Sequence, residues 1–356
     1  MHPKKIRFSA LLCFVLLLLT AVLSACSGSG NGNGNTNSSQ PEASPAATAP
    51  PSEGASGATT YPLTIENYTM NGEEGAFAAK EQVFEKAPER VVVNTQPIAE
   101  MLIKLGLTDK MVGVAALYGE LDPEVKDEFA KIPVLSKEYV SKEPVVGANP
   151  DLVMGRSDLF ADADWGVGTV EGLNELGIRT FINSTSLKGA TVESLYKDIE
   201  QIGQIFDVQD KAAAHIEKLK GQVETLKSEF VGKGKEQTFA FVSEDGGIKF
   251  YSGINDTFQN EALGWIGLKN GFSDIEGSNV STEEVVSRNP DVLLMSYYTG
   301  APDPQKTIDA IYADPALKDI NAVKNKKVYV IDFNAYWGYG DQIFNAIEKL
   351  GKELNA

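Results

Sequence analysis

Apolar and polar residues alternate with a period of two in Leu63-Thr-Ile-Glu-Asn-Tyr-Thr and again in Glu81-Gln-Val-Phe-Glu-Lys, with a Gly-rich acidic segment between them. That alternation predicts a hairpin with one buried face. The pattern then changes. Arg90-Val-Val-Val-Asn is a continuous apolar run and predicts a strand buried on both faces; 97–106 opens with Pro and ends with Gly, as a helix does; Met111-Val-Gly-Val-Ala predicts the next strand. Strands alternating with helices predict a parallel sheet. Over 191–232 no strand pattern occurs. Leu195, Ile199, Ile202, Ile205 and Phe206, then Ala213, Ile216, Leu219, Val223 and Leu226, recur at helical spacing. The second set predicts a helix over 208–231, roughly 35 Å long, better suited to bridging two lobes than to covering one sheet. A second α/β run follows, with strands over 238–243, 248–252, 292–295 and 328–332, a helix from about Phe258 and a closing helix after Gly340. The expected division is 61–190, 191–232 and 233–356.

A repeated unit supports two related lobes. Ser141-Lys-Glu143-Pro-Val-Val-Gly-Ala-Asn149-Pro150-Asp151-Leu-Val-Met returns as Ser281-Thr-Glu283-Glu-Val-Val-Ser-Arg-Asn289-Pro290-Asp291-Val-Leu-Leu-Met. Each copy predicts an N-capping Ser, a short helix, an Asn-Pro stop and a buried strand. Glu284, three residues after Ser281, predicts a capping box in the second copy. Two lobes of common design leave a cleft between them, where small ligands usually bind.

The N-terminus has another grammar. Lys4, Lys5 and Arg7 precede an apolar run from Ala10 to Leu23, which reads as a secretory signal over 1–25, too short to span a bilayer comfortably. Leu23-Ser24-Ala25-Cys26 resembles the lipobox of bacterial lipoproteins, so lipidation is expected on Cys26. Residues 27–60 contain no aromatic, Leu, Ile, Val or Met and cannot build a core, so 26–60 is expected to be a lipidated tether.

Composition closes several chemistries. Loss of the signal removes Cys13 and His2, leaving Cys26 and His215 as the single cysteine and histidine, too few for a disulfide framework or a His/Cys metal site. His215 lies in a helical pattern and is expected to pack or face solvent. Losing Lys4, Lys5 and Arg7 takes the formal charge from −17 to −20, which argues against nucleic acid. The roughly three hundred remaining residues exceed what one core usually holds.

The stretches Glu89-Arg-Val-Val-Val-Asn, Glu100-Met-Leu-Ile-Lys-Leu-Gly-Leu, Lys110-Met-Val-Gly-Val, 143–154, Gly168-Thr-Val-Glu-Gly-Leu-Asn-Glu-Leu-Gly-Ile, 281–295 and Ala322-Val-Lys-Asn-Lys-Lys-Val-Tyr resemble the substrate-binding proteins of iron-siderophore and cobalamin ABC importers. The resemblance covers about Tyr61 to Ala356. It implies the class III α/β fold: two Rossmann-like lobes joined by a single long helix, a ligand cleft between them, small hinge motion and no catalysis. It further implies a monomer with no resident cofactor, holding a metal chelate whose ferric ion is cargo. The implied partners are an ABC permease dimer and, through the lipid anchor, the outer face of the cell membrane. Glu143 and Glu283 match the acidic residues with which such proteins dock on permease arginines. A carboxylate in a first helical turn is favoured by the helix dipole and projects outward.

Ligand candidates are residues at or just past the carboxyl ends of strands: Asn94 to Gln96, Tyr118, Arg156 with Ser157, Trp165, Tyr251, Tyr297 with Tyr298, and Tyr336 with Trp337 and Tyr339. Rings with polar tips suit a bulky, oxygen-rich chelate, and Arg156 offers a cation for an anionic one. Scarcity of arginine favours a hydroxamate-type or mixed chelate over a tris-catecholate; haem and cobalamin are the alternatives. An extracytoplasmic enzyme is a rival, but Ser194-Leu-Tyr-Lys197 lacks the partner motifs its Ser-x-x-Lys pattern needs, and no Gly-x-Ser-x-Gly or phosphate loop occurs. An adhesion or sensor protein on the same fold is the other.

Overall fold

The computed structural model describes residues 57–70, 76–232 and 236–355. The expected signal, Cys26 and most of the tether lie outside them. Strands β1 (Leu63–Met70) and β2 (Phe77–Phe84) form the antiparallel hairpin that the period-two alternation predicts. β3 (Val91–Val93), β4 (Met111–Val114), β5 (Leu152–Gly155) and β6 (Arg179–Ile182) make a parallel sheet in the order β4-β3-β5-β6. All three valines of β3 are buried, as a strand covered on both faces requires. β6 is an edge, and the hairpin blunts it. The buried Asn67 side chain donates to the Ile182 carbonyl and accepts from its N–H, at 3.0 and 2.7 Å, and the buried Gln82 carbonyl accepts from Thr180 N–H. Two amides thereby satisfy strand groups that would otherwise offer a template for mispairing.

The second lobe holds β7 (Gln237–Glu244), β8 (Ile248–Tyr251), β9 (Leu268–Asn270), β10 (Asn279–Val280), β11 (Val292–Tyr297) and β12 (Val328–Asp332) in one mixed sheet. β7, β11 and β12 run parallel, β8 is antiparallel to β7, and β9 pairs with the first part of β7.

Two helices connect the lobes, Val192–Phe206 and Gln209–Phe230, separated by Asp207 in the left-handed conformation. They meet closely at Gly203, where a Cβ would lie 2.7 Å from the Ala212 methyl. The buried face of the second helix is Ala212, His215, Leu219, Val223 and Leu226. Its first turns are therefore set differently from expectation: Ala212 and His215 take the inward positions, and Ala213 faces solvent. The reason is Asp341, which precedes the closing helix Gln342–Leu354 and meets His215 Nε2 at 2.7 Å. Lys104 joins the same cluster, 3.2 Å from Asp341 and 3.0 Å from Asp122. Burial alone would raise the Asp341 carboxyl, but Lys104 and His215 overcome it and hold it below the usual carboxylate range. One apolar cluster runs from Val91 and Leu152 through Leu195 and Leu219 to Phe239 and Leu294, so the two lobes share a core.

Both copies of the repeat form a helix, a stop and a strand. The helices are Lys142–Gly147 and Thr282–Arg288, and Asn149 and Asn289 each take positive φ, at 50° and 53°, before a buried proline. Asparagine tolerates that region and proline forbids continuation. The capping differs from expectation. Ser281 accepts from Glu284 N–H at 3.1 Å, but the Glu284 carboxylate turns to Arg288 at 2.6 Å instead of back to the cap, so no capping box forms. Ser141 makes no such cap, because position three of its helix is Pro144, which has no N–H.

Candidate functional site

A cleft of about 930 Å³ lies between the lobes, at the carboxyl ends of β4, β5, β7, β11 and β12. That placement follows from parallel strands, whose following loops all emerge at one end of the sheet. Tyr118 enters from beyond β4 and Arg156 directly follows β5; Glu244 and Tyr297 end β7 and β11, and Phe333 directly follows β12.

Aromatic rings cross the cleft in sequence. Tyr139 meets Tyr118 edge-on at 5.1 Å between centroids, and Tyr118 meets Tyr298 at 6.0 Å across the two lobes. Tyr298 approaches Phe333 at 6.4 Å, Phe333 stacks on Trp337 at 5.6 Å, and Trp337 meets Phe241 edge-on at 5.3 Å. The lobes also touch through the backbone, where Thr299 N–H donates to the Tyr118 carbonyl at 2.7 Å. Such a ribbon offers faces for a large flat or globular ligand while tyrosine hydroxyls supply polar contacts.

Arg156 is held from several sides. Its Nε and Nη2 reach the two oxygens of Asp158 at 2.6 and 2.7 Å, Nη1 donates to Tyr139 Oη at 3.3 Å, and its guanidinium lies 5.6 Å from the Tyr339 ring. Burial works against its charge, and the Asp158 carboxylate more than restores it. Its backbone is fixed by Asn94, which accepts Arg156 N–H at 2.8 Å and donates to the Arg156 carbonyl at 3.1 Å. This clasp needs Gly155: at φ 139° its Cβ would sit 1.9 Å from the Asn94 oxygen. On the facing wall Trp337 Nε1 donates to Asp256 at 3.3 Å. Burial raises the Asp256 carboxyl, and the Trp337 hydrogen bond and the Arg156 charge pull it partly back.

Of the residues singled out in the sequence, Tyr118, Arg156, Tyr251, Tyr297, Tyr298 and Trp337 stand in the wall. Three do not. Asn94 is 1% exposed and supports Arg156 instead of lining the cleft; Tyr336 is 1% exposed and belongs to the core; Trp165 is 48% exposed on a loop outside the wall. Tyr336 and Trp337 are neighbours on one short helix, Phe333–Trp337, so they point to different sides, and only one can face the ligand space. The buried Thr95, Gln96 and Ser157 and the half-buried Tyr339 likewise lie outside the lining. Tyr139, Asp158, Phe241, Asp256 and Phe333 were missed. Asp158 was findable from its place two residues after Arg156, and Phe333 from its position right after a strand; Tyr139 lies in a loop with no signature.

Glu143 and Glu283 are both exposed in the first turns of their helices. Hydrogen bonds from the Glu143 backbone N–H and from the Ser141 hydroxyl hold the Glu143 carboxyl below its usual range. Ser194 receives a structural assignment, since its hydroxyl accepts Thr191 N–H at 3.1 Å in the capping box of its helix. Among the described residues there is no group of three or more His, Cys, Asp and Glu able to hold a metal ion, and no helix long and apolar enough to cross a membrane.

The model of the periplasmic binding protein family matches residues 91–335, from the first strand of the parallel sheet to the helix that carries Trp337. The chain belongs to that family. This periplasmic binding protein is similar to an uncharacterized ABC transporter substrate-binding lipoprotein, YvrC, of Bacillus subtilis strain 168, with 27% identity over 304 residues, covering 83% of this chain and 86% of that one. A vitamin B12-binding protein of Yersinia pestis strain Pestoides F is 24% identical over 217 residues, covering 59% of this chain and 70% of its own. The crystal structure of an ABC-type Fe3+-hydroxamate transport system from Saccharomonospora viridis DSM 43017 is 26% identical, covers 83% of this chain and 100% of that one, and superposes with a TM-score of 0.65.

Proposed function

We propose that this protein is the substrate-binding subunit of an ABC importer, that it captures a bulky metal chelate of the ferric hydroxamate type outside the cell membrane, and that a lipid on Cys26 tethers it there. The observation that carries the reading is the aromatic ribbon crossing a cleft whose 930 Å³ lies near the upper end of the roughly 300–1,000 Å³ usual for small-molecule sites. The similarity to an Fe3+-hydroxamate transport system supports the ligand class, and the similarity to vitamin B12-binding proteins supports cobalamin as the second reading. The exposed Glu143 and Glu283, one per lobe on matching helices, serve as the two pegs for a permease dimer.

Trp337 stands in the wall while Trp165 and Trp265 do not, so tryptophan fluorescence reports on the cleft. Titration with ferric hydroxamates, ferric catecholates, ferric citrate, haem and cobalamin should give saturable quenching by a chelate and none by its iron-free form. Silence across the panel in a folded sample would sink the reading. For docking, the double variant Glu143→Lys with Glu283→Lys should lose uptake while keeping cleft affinity; retained uptake would favour an adhesion or sensor role.

A further inference from the structure

The charges around the cleft point away from an anionic cargo. We infer that the cleft selects neutral or positively charged chelates, and that Asp256 and Glu244 are the specificity-determining residues for this choice. The inference rests on the receptor reading above and narrows its ligand class.

Arg156 is the one cation among the described residues lining the cleft, and it is already committed. Both oxygens of Asp158 hold it at 2.6 and 2.7 Å, and Tyr139 and Tyr339 occupy its remaining directions. A bidentate pair of this geometry is close to neutral from a distance and offers no free fork to a ligand carboxylate. Across the cleft, Asp245 is matched by Lys249 at 2.6 Å. Two lining carboxylates then remain. Asp256 accepts from the Trp337 indole at 3.3 Å and Glu244 from the backbone N–H of Gly247 at 3.2 Å, and neither forms an ion pair among the described residues. Trp337 belongs to the aromatic ribbon, so Asp256 sits where a stacked ligand would lie.

Two unpaired carboxylates beside a partly dry aromatic wall repel a further negative charge more strongly than they would in water. A porphyrin dicarboxylate or a tris-catecholate would bring that charge; a trihydroxamate or a corrin would not. Burial raises the Asp256 carboxyl even with the Trp337 hydrogen bond and the Arg156 charge acting against it, and a cationic ligand in the cleft would favour its ionised form further.

A charge series on one iron core tests this. The probes are the ferric complex of a linear trihydroxamate with a free terminal amine, which is cationic, its neutral N-acetyl derivative and its anionic N-succinyl derivative. Cobalamin and haem serve as further arms. Affinity for the folded domain should fall from cation to neutral to anion, roughly tenfold per unit of charge at low salt, with a smaller spread at high salt. Asp256→Asn should flatten the series. Glu244→Gln, at an exposed position, provides a second variant that leaves Trp337 undisturbed, and it should flatten the series partly. Equal or reversed affinities would overturn charge selection while leaving the receptor reading intact. A series that keeps its slope in both variants would overturn the assignment to these residues. If no hydroxamate binds, cobalamin binding without haem binding supports the inference and haem binding refutes it. Silence from all five removes the receptor reading and this inference together.

Discussion

The two copies of the repeated unit share their skeleton and diverge at both ends. In each, an Asn-Pro stop leads into an aspartate that fastens the start of the neighbouring strand. Asp151 accepts Glu89 and Arg90 N–H, both at 2.9 Å, and Asp291 accepts Thr238 N–H at 3.0 Å. The strands that follow are equally buried. The copies then part company: β5 ends in Gly155 and is followed by Arg156, both held by Asn94, whereas β11 places Met295 and Ser296 at the matching positions. At the opposite end, Ser281 caps its helix and Ser141 instead bonds the Glu143 carboxylate. The shared middle builds a lobe, while the divergent ends face the cleft on one side and carry the exposed first-turn glutamates on the other.

The largest expected contrast is at the cleft end. Gly155→Ala should cost about 3–5 kcal/mol, combining a backbone region open mainly to glycine with a collision against Asn94. Met295→Leu at the matching position should cost under about 1.5 kcal/mol. Chemical denaturation of both variants checks the difference, and equal costs would mean that the Asn94 clasp is not rigid. Next come the clamps. Asp151→Ala and Asp291→Ala should each lose about 2 kcal/mol, because strand N–H groups lose a charged acceptor. A loss confined to one copy would break the equivalence drawn here. The smallest contrast is at the caps: Ser281→Ala should cost about 1 kcal/mol, the usual worth of an N-cap, and Ser141→Ala distinctly less. Thermal unfolding of the pair resolves it. Ser141→Ala should also raise the apparent pKa of Glu143, readable by NMR titration, because one of the bonds that favour its ionised form is gone.

Much of the fold was legible because local patterns and tertiary context agree. The alternation at Leu63 and Val83, the all-valine run of β3 and the Asn-Pro stops each state their structure within a few residues. The site was less legible. Tyr118, Arg156, Tyr251, Tyr297 and Trp337 were reachable because strand ends face the cleft in this fold class. Trp165 and Tyr336 have the same residue chemistry and lie elsewhere, since a loop and a helical turn decide direction by packing. His215 shows the same effect on the bridging helix, where its hydrogen bond with Asp341, 126 positions later, sets the buried face.

The sequence by itself determined the two α/β lobes, the helical segment between them and the paired acidic turns, because helix stops, strand burial and first-turn charges are encoded within a dozen residues. Tertiary structure alone decided the sign of the cleft. Whether Arg156 is free or spent depends on Asp158 and Tyr139 folding onto it, and whether Asp256 is paired depends on which groups the other lobe brings near. Composition counts charges, but an electrostatic site is set by the distances between them.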